Sequence, residues 1–139
     1  MATSDGGLRR LFAYGSLMVP AVWQAVCGVP ALQRPATLTG YARFRVRGQH
    51  FPGIMPVTGA TTEGVLIDDI DDALWRRLDE FESTFYERLV VAVETPEAPV
   101  LAACAYVVAA AHRQGLTREH WTPERFTADH LDAYLARYA

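Results

Sequence analysis

The chain has 139 residues, half of them apolar, a net charge of −3 and thirteen basic residues that are all arginine. That length suits one domain with its own core, and the lack of lysine rules out Schiff-base or P-loop lysine chemistry. Two cysteines, Cys27 and Cys104, make neither a disulfide framework nor a four-cysteine zinc site. No basic tract suits nucleic acid or an anionic membrane surface, and no apolar run nears the roughly 20 residues of a bilayer span.

Residues 1–7 are small and polar and are expected to be disordered, leaving 8–139 as a single domain. Arg9-Arg10 ahead of the stretch Leu11 to Pro30 resembles a signal peptide only superficially. Tyr14, Gly15, Ser16, Trp23 and Gln24 interrupt the apolar region and Pro20 splits it. A cytoplasmic protein with Cys27 and Cys104 as small buried apolar residues is the better reading.

Leu8 to Tyr14 reads as a short apolar strand that stops at Gly15. Pro20 opens a short helix and Gly28 ends it. From Ala36 to Arg47 the chain alternates, Ala42, Phe44 and Val46 against Arg43, Arg45 and Arg47. That is a strand with one wet face. Gln49 to Gly59 is rich in proline and glycine and reads as a loop with short extended pieces. Glu63 to Ile70 is a further strand, and Asp71-Asp72 starts a helix to about Glu82 with acid at its positive end. Arg88–Thr95 and Val100–Ala109 are valine-rich strands joined by a short Pro96–Pro99 link, hence an antiparallel hairpin. Thr117 to Ala139 reads as helix, in one or two pieces. The order is not a regular βαβ alternation, so the class is α+β, a mixed or mostly antiparallel sheet with helices packed on it.

The helix ending at Glu82 carries the most information about chemistry. At about 100° per residue, Leu74, Trp75 and Phe81 fall within roughly 60° of Leu78, and Glu82 lies about 40° away. Arg76, Arg77 and Glu80 point outward, with Asp79 at the flank. A carboxylate beside tryptophan and leucine has a raised pKa, which suits a general base working near neutral pH. Two plainer arrangements compete: Glu82 turned to solvent at a frayed helix end, or buried and paired with Arg88.

Tyr14-Gly15-Ser16-Leu17 is a turn at a strand end, where glycine admits unusual backbone angles and successive amides can hold an anion. Ser16 could instead be a nucleophile, but no Gly-x-Ser-x-Gly elbow surrounds it. An ordinary turn is the third possibility. His50, His112, His120 and His130 have no metal-ligand spacing. The arginine face at 43, 45 and 47 could meet a carboxylate, although a solvated strand face explains it as well.

Six segments in register resemble one family: LFAYGSL at 11–17, GYARF at 40–44, FPGI at 51–54, EGVLIDDI at 63–70, LDEFES at 78–83 and YERLVV at 86–91. They occur in this order in the γ-glutamylcyclotransferase-like proteins, which include the plant AIG2-like proteins and the γ-glutamylamine cyclotransferases. The resemblance covers roughly residues 8–110, and the stretch with Trp121 and Phe126 is similar to the terminal helix of AIG2-like members. It implies a small mixed or closed sheet with helices outside, a turn at Tyr14, Gly15, Ser16 and Leu17 that cradles a γ-glutamyl group, and Glu82 as general acid/base. It implies cyclisation of a small-molecule γ-glutamyl substrate to 5-oxoproline with no metal, cofactor or covalent intermediate. One departure stands out, because the family often has glycine after the glutamate and here that residue is Ser83. A non-catalytic binding module and an enzyme removing a γ-glutamyl protecting group share the same pattern.

Overall fold

A computed structural model describes residues 8–138. The disordered amino terminus expected over residues 1–7 lies outside the described residues. Five strands form a closed barrel: β1 (Leu11–Ala13), β2 (Gln33–Arg45), β3 (Pro52–Ile67), β4 (Tyr86–Glu94) and β5 (Leu101–Val108), in the order β1-β3-β2-β4-β5. Every pairing is antiparallel except the closure, where β1 meets β5 in parallel at Leu11↔Cys104. Four helices pack outside: α1 (Pro20–Cys27), α2 (Asp72–Glu82), α3 (Pro123–Asp129) and α4 (Leu131–Leu135).

Side-chain alternation divides the apolar residues into two cores. Phe12, Leu38, Ile54, Leu66 and Val93 fill the barrel interior with Ala103, Ala105 and Val107. Leu11, Ala13, Ile67, Cys104 and Tyr106 point the other way, against Trp23, Trp75, Leu78 and Phe126 of the helices. β1 and β5 are therefore covered on both faces, which is why they read as continuous apolar runs.

Helix ends follow local chemistry. Asp71 caps α2 by accepting from the Leu74 amide at 2.8 Å, a contact worth about 1 kcal/mol. Gly28 ends α1 in the left-handed conformation, φ 74°.

Three expectations need correction. The proline- and glycine-rich stretch from Gln49 is mostly strand, since β3 begins at Pro52 and pairs along nearly all of β2. Prolines are tolerated at a strand's first position and beside an irregularity. Pro52 starts β3, and Pro56 is the last partner before the register shifts between Thr39 and Tyr41. Gly40 and Gly59, at φ 92° and 84°, absorb that shift. Second, the carboxy-terminal helix begins at Pro123, not Thr117. The Thr117 amide donates to the Arg45 carbonyl and the Arg45 amide to that of Glu119, both at 2.9 Å, so this segment extends the sheet. Third, the arginine face of β2 is not simply solvated. Arg45 makes a two-pronged pair with Glu119, at 3.1 and 3.0 Å, and Arg43 turns its guanidinium onto backbone carbonyls.

Gly64 faces β1 so closely that a Cβ there would run into the Ala13 carbonyl and stand 2.9 Å from the Phe12 ring. Gly64→Ala should destabilise the protein by about 1–3 kcal/mol, read as a lowered denaturation midpoint; an unchanged midpoint would show that β1 can move away.

Candidate functional site

A pocket of about 510 Å³ opens where β1 ends, against the carboxy-terminal end of α2. Gly15, Ser16, Leu17, Glu82, Ser83 and Tyr86 line it, with Tyr106 from β5 and Tyr134 from α4 behind them. The two segments singled out in the sequence thus share one cavity. The exposed arginines Arg47 and Arg137 complete the lining, whereas Arg43 and Arg45 lie outside it.

The geometry of α2 matches its periodicity. Trp75 and Leu78 are buried, Arg76, Arg77 and Glu80 are exposed, and Glu82 is part-buried with its open surface on the pocket. Arg88 does not claim Glu82. It pairs with Asp79 at 3.7 Å and lies over the Trp75 ring at 4.4 Å from the centroid. Desolvation, reinforced by the negative charge of Asp79, pushes the Glu82 carboxyl up to about 8.

The tyrosines explain how this carboxylate stays without a donor. The Tyr14 hydroxyl donates to the Tyr106 carbonyl at 2.6 Å, that of Tyr86 to the Pro52 carbonyl at 2.7 Å, and that of Tyr106 to Asp79 Oδ1 at 2.7 Å. The Tyr134 and Ser16 hydroxyls are 2.9 Å apart. Burial drives the titration of Tyr14, Tyr86 and Tyr106 well above the usual range, so all three stay neutral. Among the described residues no hydrogen bond or ion pair reaches Glu82. The Glu82 carboxyl thus lies in aromatic surroundings, with no hydrogen bond or ion pair among the described residues to lower its proton affinity.

The turn at Tyr14 offers the complementary feature. Ser16–Met18 form one turn of 3₁₀ helix, in which the Met18 and Val19 amides donate to the Gly15 and Ser16 carbonyls, both at 3.0 Å. The Gly15, Ser16 and Leu17 amides have no such acceptor among the described residues. Gly15 does not use a left-handed conformation: its φ is −119°, and what crowds a side chain there is the Pro52 ring, 3.1 Å from where a Cβ would stand.

Ser16 makes a poor nucleophile here. Its hydroxyl engages Tyr134, and among the described residues no histidine lines the pocket. Both cysteines are buried, and burial pushes the Cys27 thiol up to about 11. No group of three or more His, Cys, Asp or Glu residues suited to a metal is found among the described residues, and none of their helices is long and apolar enough to cross a membrane.

Ser83 occupies φ 63°, ψ −172° as the cap of α2, a region otherwise reserved for glycine and costing a side chain about 1–3 kcal/mol. The turn after Glu82 therefore keeps a glycine-type conformation with serine in it.

One pocket of the closed barrel is thus lined by a part-buried carboxylate and by Gly15, Ser16 and Leu17, whose amides have no acceptor among the described residues. Residues 11–123 match the family described as gamma-glutamyl cyclotransferase, AIG2-like, and the chain belongs to that family. Protein AIG2 C of Arabidopsis thaliana is 33% identical over 93 residues, covering 67% of this chain and 56% of the relative. AIG2-like protein C of the same plant is 36% identical over 83 residues, covering 60% and 48%. The chain thus spans about half the length of these curated relatives. Two Arabidopsis thaliana proteins solved in solution share the fold with TM-scores of 0.72 and 0.70. They are 24% and 26% identical, covering 95% and 99% of this chain and 89% and 84% of their own. A structure named gamma-glutamyl cyclotransferase superposes with TM-score 0.63 at 20% identity, covering 73% of this chain and 66% of its own, which supports the fold alone.

Two substitutions test the site while leaving Glu82 in place. Asp79→Asn keeps an acceptor for Tyr106 and removes a charge, so the Glu82 pKa, followed by carbon-13 NMR, should fall while staying above the ordinary range, because desolvation is the larger cause. Ser83→Gly should raise stability by about 1 kcal/mol in a denaturant titration; a loss would mean that the Ser83 hydroxyl, which accepts from the Phe85 amide at 3.4 Å, outweighs the strain.

Proposed function

We propose that this chain cyclises γ-glutamyl amides to 5-oxoproline, with Glu82 as general acid/base and the amides of Gly15, Ser16 and Leu17 holding the substrate carboxylate. The observation that carries this reading is the Glu82 carboxylate, desolvated and without a hydrogen-bond donor among the described residues, on the same pocket as those open amides.

A γ-glutamyl amide brings its own nucleophile, the α-amine, which is protonated and inert at neutral pH. An α-ammonium titrates near 8 or somewhat above. A carboxylate in the ordinary range would take its proton only at a cost of more than three pH units, about 5 kcal/mol. With Glu82 at about 8, the transfer is nearly level. The freed amine attacks the γ-carbonyl carbon, a carbon–nitrogen bond forms, and the original amide bond breaks. Glu82 returns that proton to the departing nitrogen, and the ring nitrogen sheds a second proton to the released amine, so the products are 5-oxoproline and an ammonium ion and atoms and charge balance without a covalent enzyme intermediate. Because attack is intramolecular, a pocket that folds the substrate into a near-attack shape contributes much of the rate. Aromatic walls keep water from competing for the proton.

Glu82→Gln is nearly isosteric and should abolish turnover of a panel of γ-glutamyl amides, followed by 5-oxoproline release. In the wild type, kcat/KM should fall as pH drops through an apparent pKa well above the ordinary glutamate value. An acid limb within the ordinary range, or turnover retained by the variant, sinks the assignment. Stability gives an activity-independent check. A carboxyl whose pKa is raised by folding binds its proton more tightly in the folded state, so its cost grows from about pH 4.5 up to about 8. The variant should therefore gain on the wild type in melting temperature as pH rises through that window, and the gap should close below it.

A further inference from the structure

Within the Tyr14–Leu17 turn, each of three consecutive carbonyls has its own donor. Those of Gly15 and Ser16 are served by the turn itself, through the Met18 and Val19 amides. The carbonyl of Tyr14 is out of the turn's reach. It lies just past the last β1–β3 pair, Ala13↔Val65, where the ladder runs out. Arg43, from β2, takes the vacant place: its Nη1 donates to the Tyr14 carbonyl at 2.7 Å and to the Glu63 carbonyl at 3.0 Å. Trp121 packs on the guanidinium, with its ring centroid 5.4 Å away.

A trans peptide is planar, with its N–H and C=O pointing in opposite directions, and no cis peptide occurs here. Drawing the Tyr14 carbonyl towards Arg43 turns the Gly15 N–H the opposite way, and Gly15 itself lines the pocket. A cation on the carbonyl also polarises the peptide and strengthens its N–H as a donor. Arg43 itself does not line the pocket. We propose that Arg43 is a positioning residue that aims and strengthens the Gly15 amide for a ligand carboxylate, acting through the Tyr14–Gly15 peptide from behind the site. The identity of that ligand as the γ-glutamyl carboxylate rests on the function proposed above; the aiming of the amide does not.

Wild type, Arg43→Gln and Arg43→Lys can be compared in turnover of γ-glutamyl amides and in nitrogen-15 spectra titrated with 5-oxoproline and, separately, with acetate. For Arg43→Gln, KM should rise about tenfold, the effect of losing one charge-assisted hydrogen bond. Its kcat and acid limb should change little, because Glu82 is untouched. Its Gly15 amide resonance should move upfield without ligand and respond weakly to either anion, while Ser16 and Leu17 still respond. Arg43→Lys, which keeps a charged donor, should restore most of both. A Gly15 resonance at its wild-type position in the glutamine variant, or equal KM and equal anion response in all three proteins, overturns the proposal. If the wild type neither turns over γ-glutamyl amides nor binds 5-oxoproline, the cyclotransferase reading falls, and the Gly15 resonance and its acetate response still decide the role of Arg43. Should Arg43→Gln not fold, Arg43→Lys decides alone: anion affinity and Gly15 resonance must shift together, and weakened affinity with an unmoved resonance overturns the proposal.

Discussion

β1 is three residues long, and the rest of the molecule is arranged around it. Phe12 fills the barrel, and Leu11 and Ala13 belong to the outer core under the helices. Its approach is stitched down by backbone. The Arg10 carbonyl accepts from the Cys104 amide at 2.9 Å, that of Arg9 from the Ile70 amide at 3.0 Å, and that of Leu8 from the Trp75 indole at 3.1 Å. Two strands, β3 and β5, and the helix α2 thus share one short segment as a common wall. The strand stops at Ala13, and beyond it the chain turns with amides that find no acceptor among the described residues, so the end of this buried strand leads into the lining of the pocket.

The placement of Glu82 and of the turn at Gly15 is legible in the sequence for local reasons. Helical periodicity needs only a dozen consecutive residues, and those of α2 place Glu82 beside Trp75 and Leu78 without any knowledge of what they pack against. The turn at Gly15 is likewise written in four residues. The rest depends on partners far away along the chain. Tyr14 reaches Tyr106 and Ser16 reaches Tyr134 across 92 and 118 residues, and neither pairing has a periodic signature. Tyr106 carries no local signal within its valine-rich strand, and Tyr134 none within the carboxy-terminal segment. β3 was hidden for a different reason. Its prolines and glycines carry the usual marks of a loop, yet they sit where a bulged strand tolerates them. Arg43 looked like one of three equivalent outward arginines, and only the ending of a neighbouring ladder gives it a carbonyl to hold.

Glu82 and Ser83 are adjacent and both work against stability, one by burying a carboxyl and the other by holding a side chain in glycine's conformation. Strain of this kind persists where the surroundings over-determine it. Here the surroundings are the helix behind Glu82, whose Asp79 carbonyl accepts from the Ser83 amide at 2.9 Å, and the start of β4 ahead of it. The abrupt reversal at Ser83 ends the helix directly after Glu82. The Glu82 backbone therefore belongs to the last turn of a helix rather than to a loop, and the helix sets the direction in which its side chain leaves the chain.

The barrel closes through a pair, Leu11 and Cys104, that are far apart in sequence, and the pocket gains its last wall from α4. Along the chain the turn at Gly15 to Leu17 comes first, Glu82 follows at the end of α2, and the strand that seals the barrel comes later still. Contacts of such long range form late, because the chain entropy of closing the loop is lost before they return anything. Until β5 arrives, β1 exposes one edge and two apolar faces, a surface prone to pair with any other extended segment. The nascent protein thus carries its greatest liability for misassembly in the same few residues that later form its most protected element.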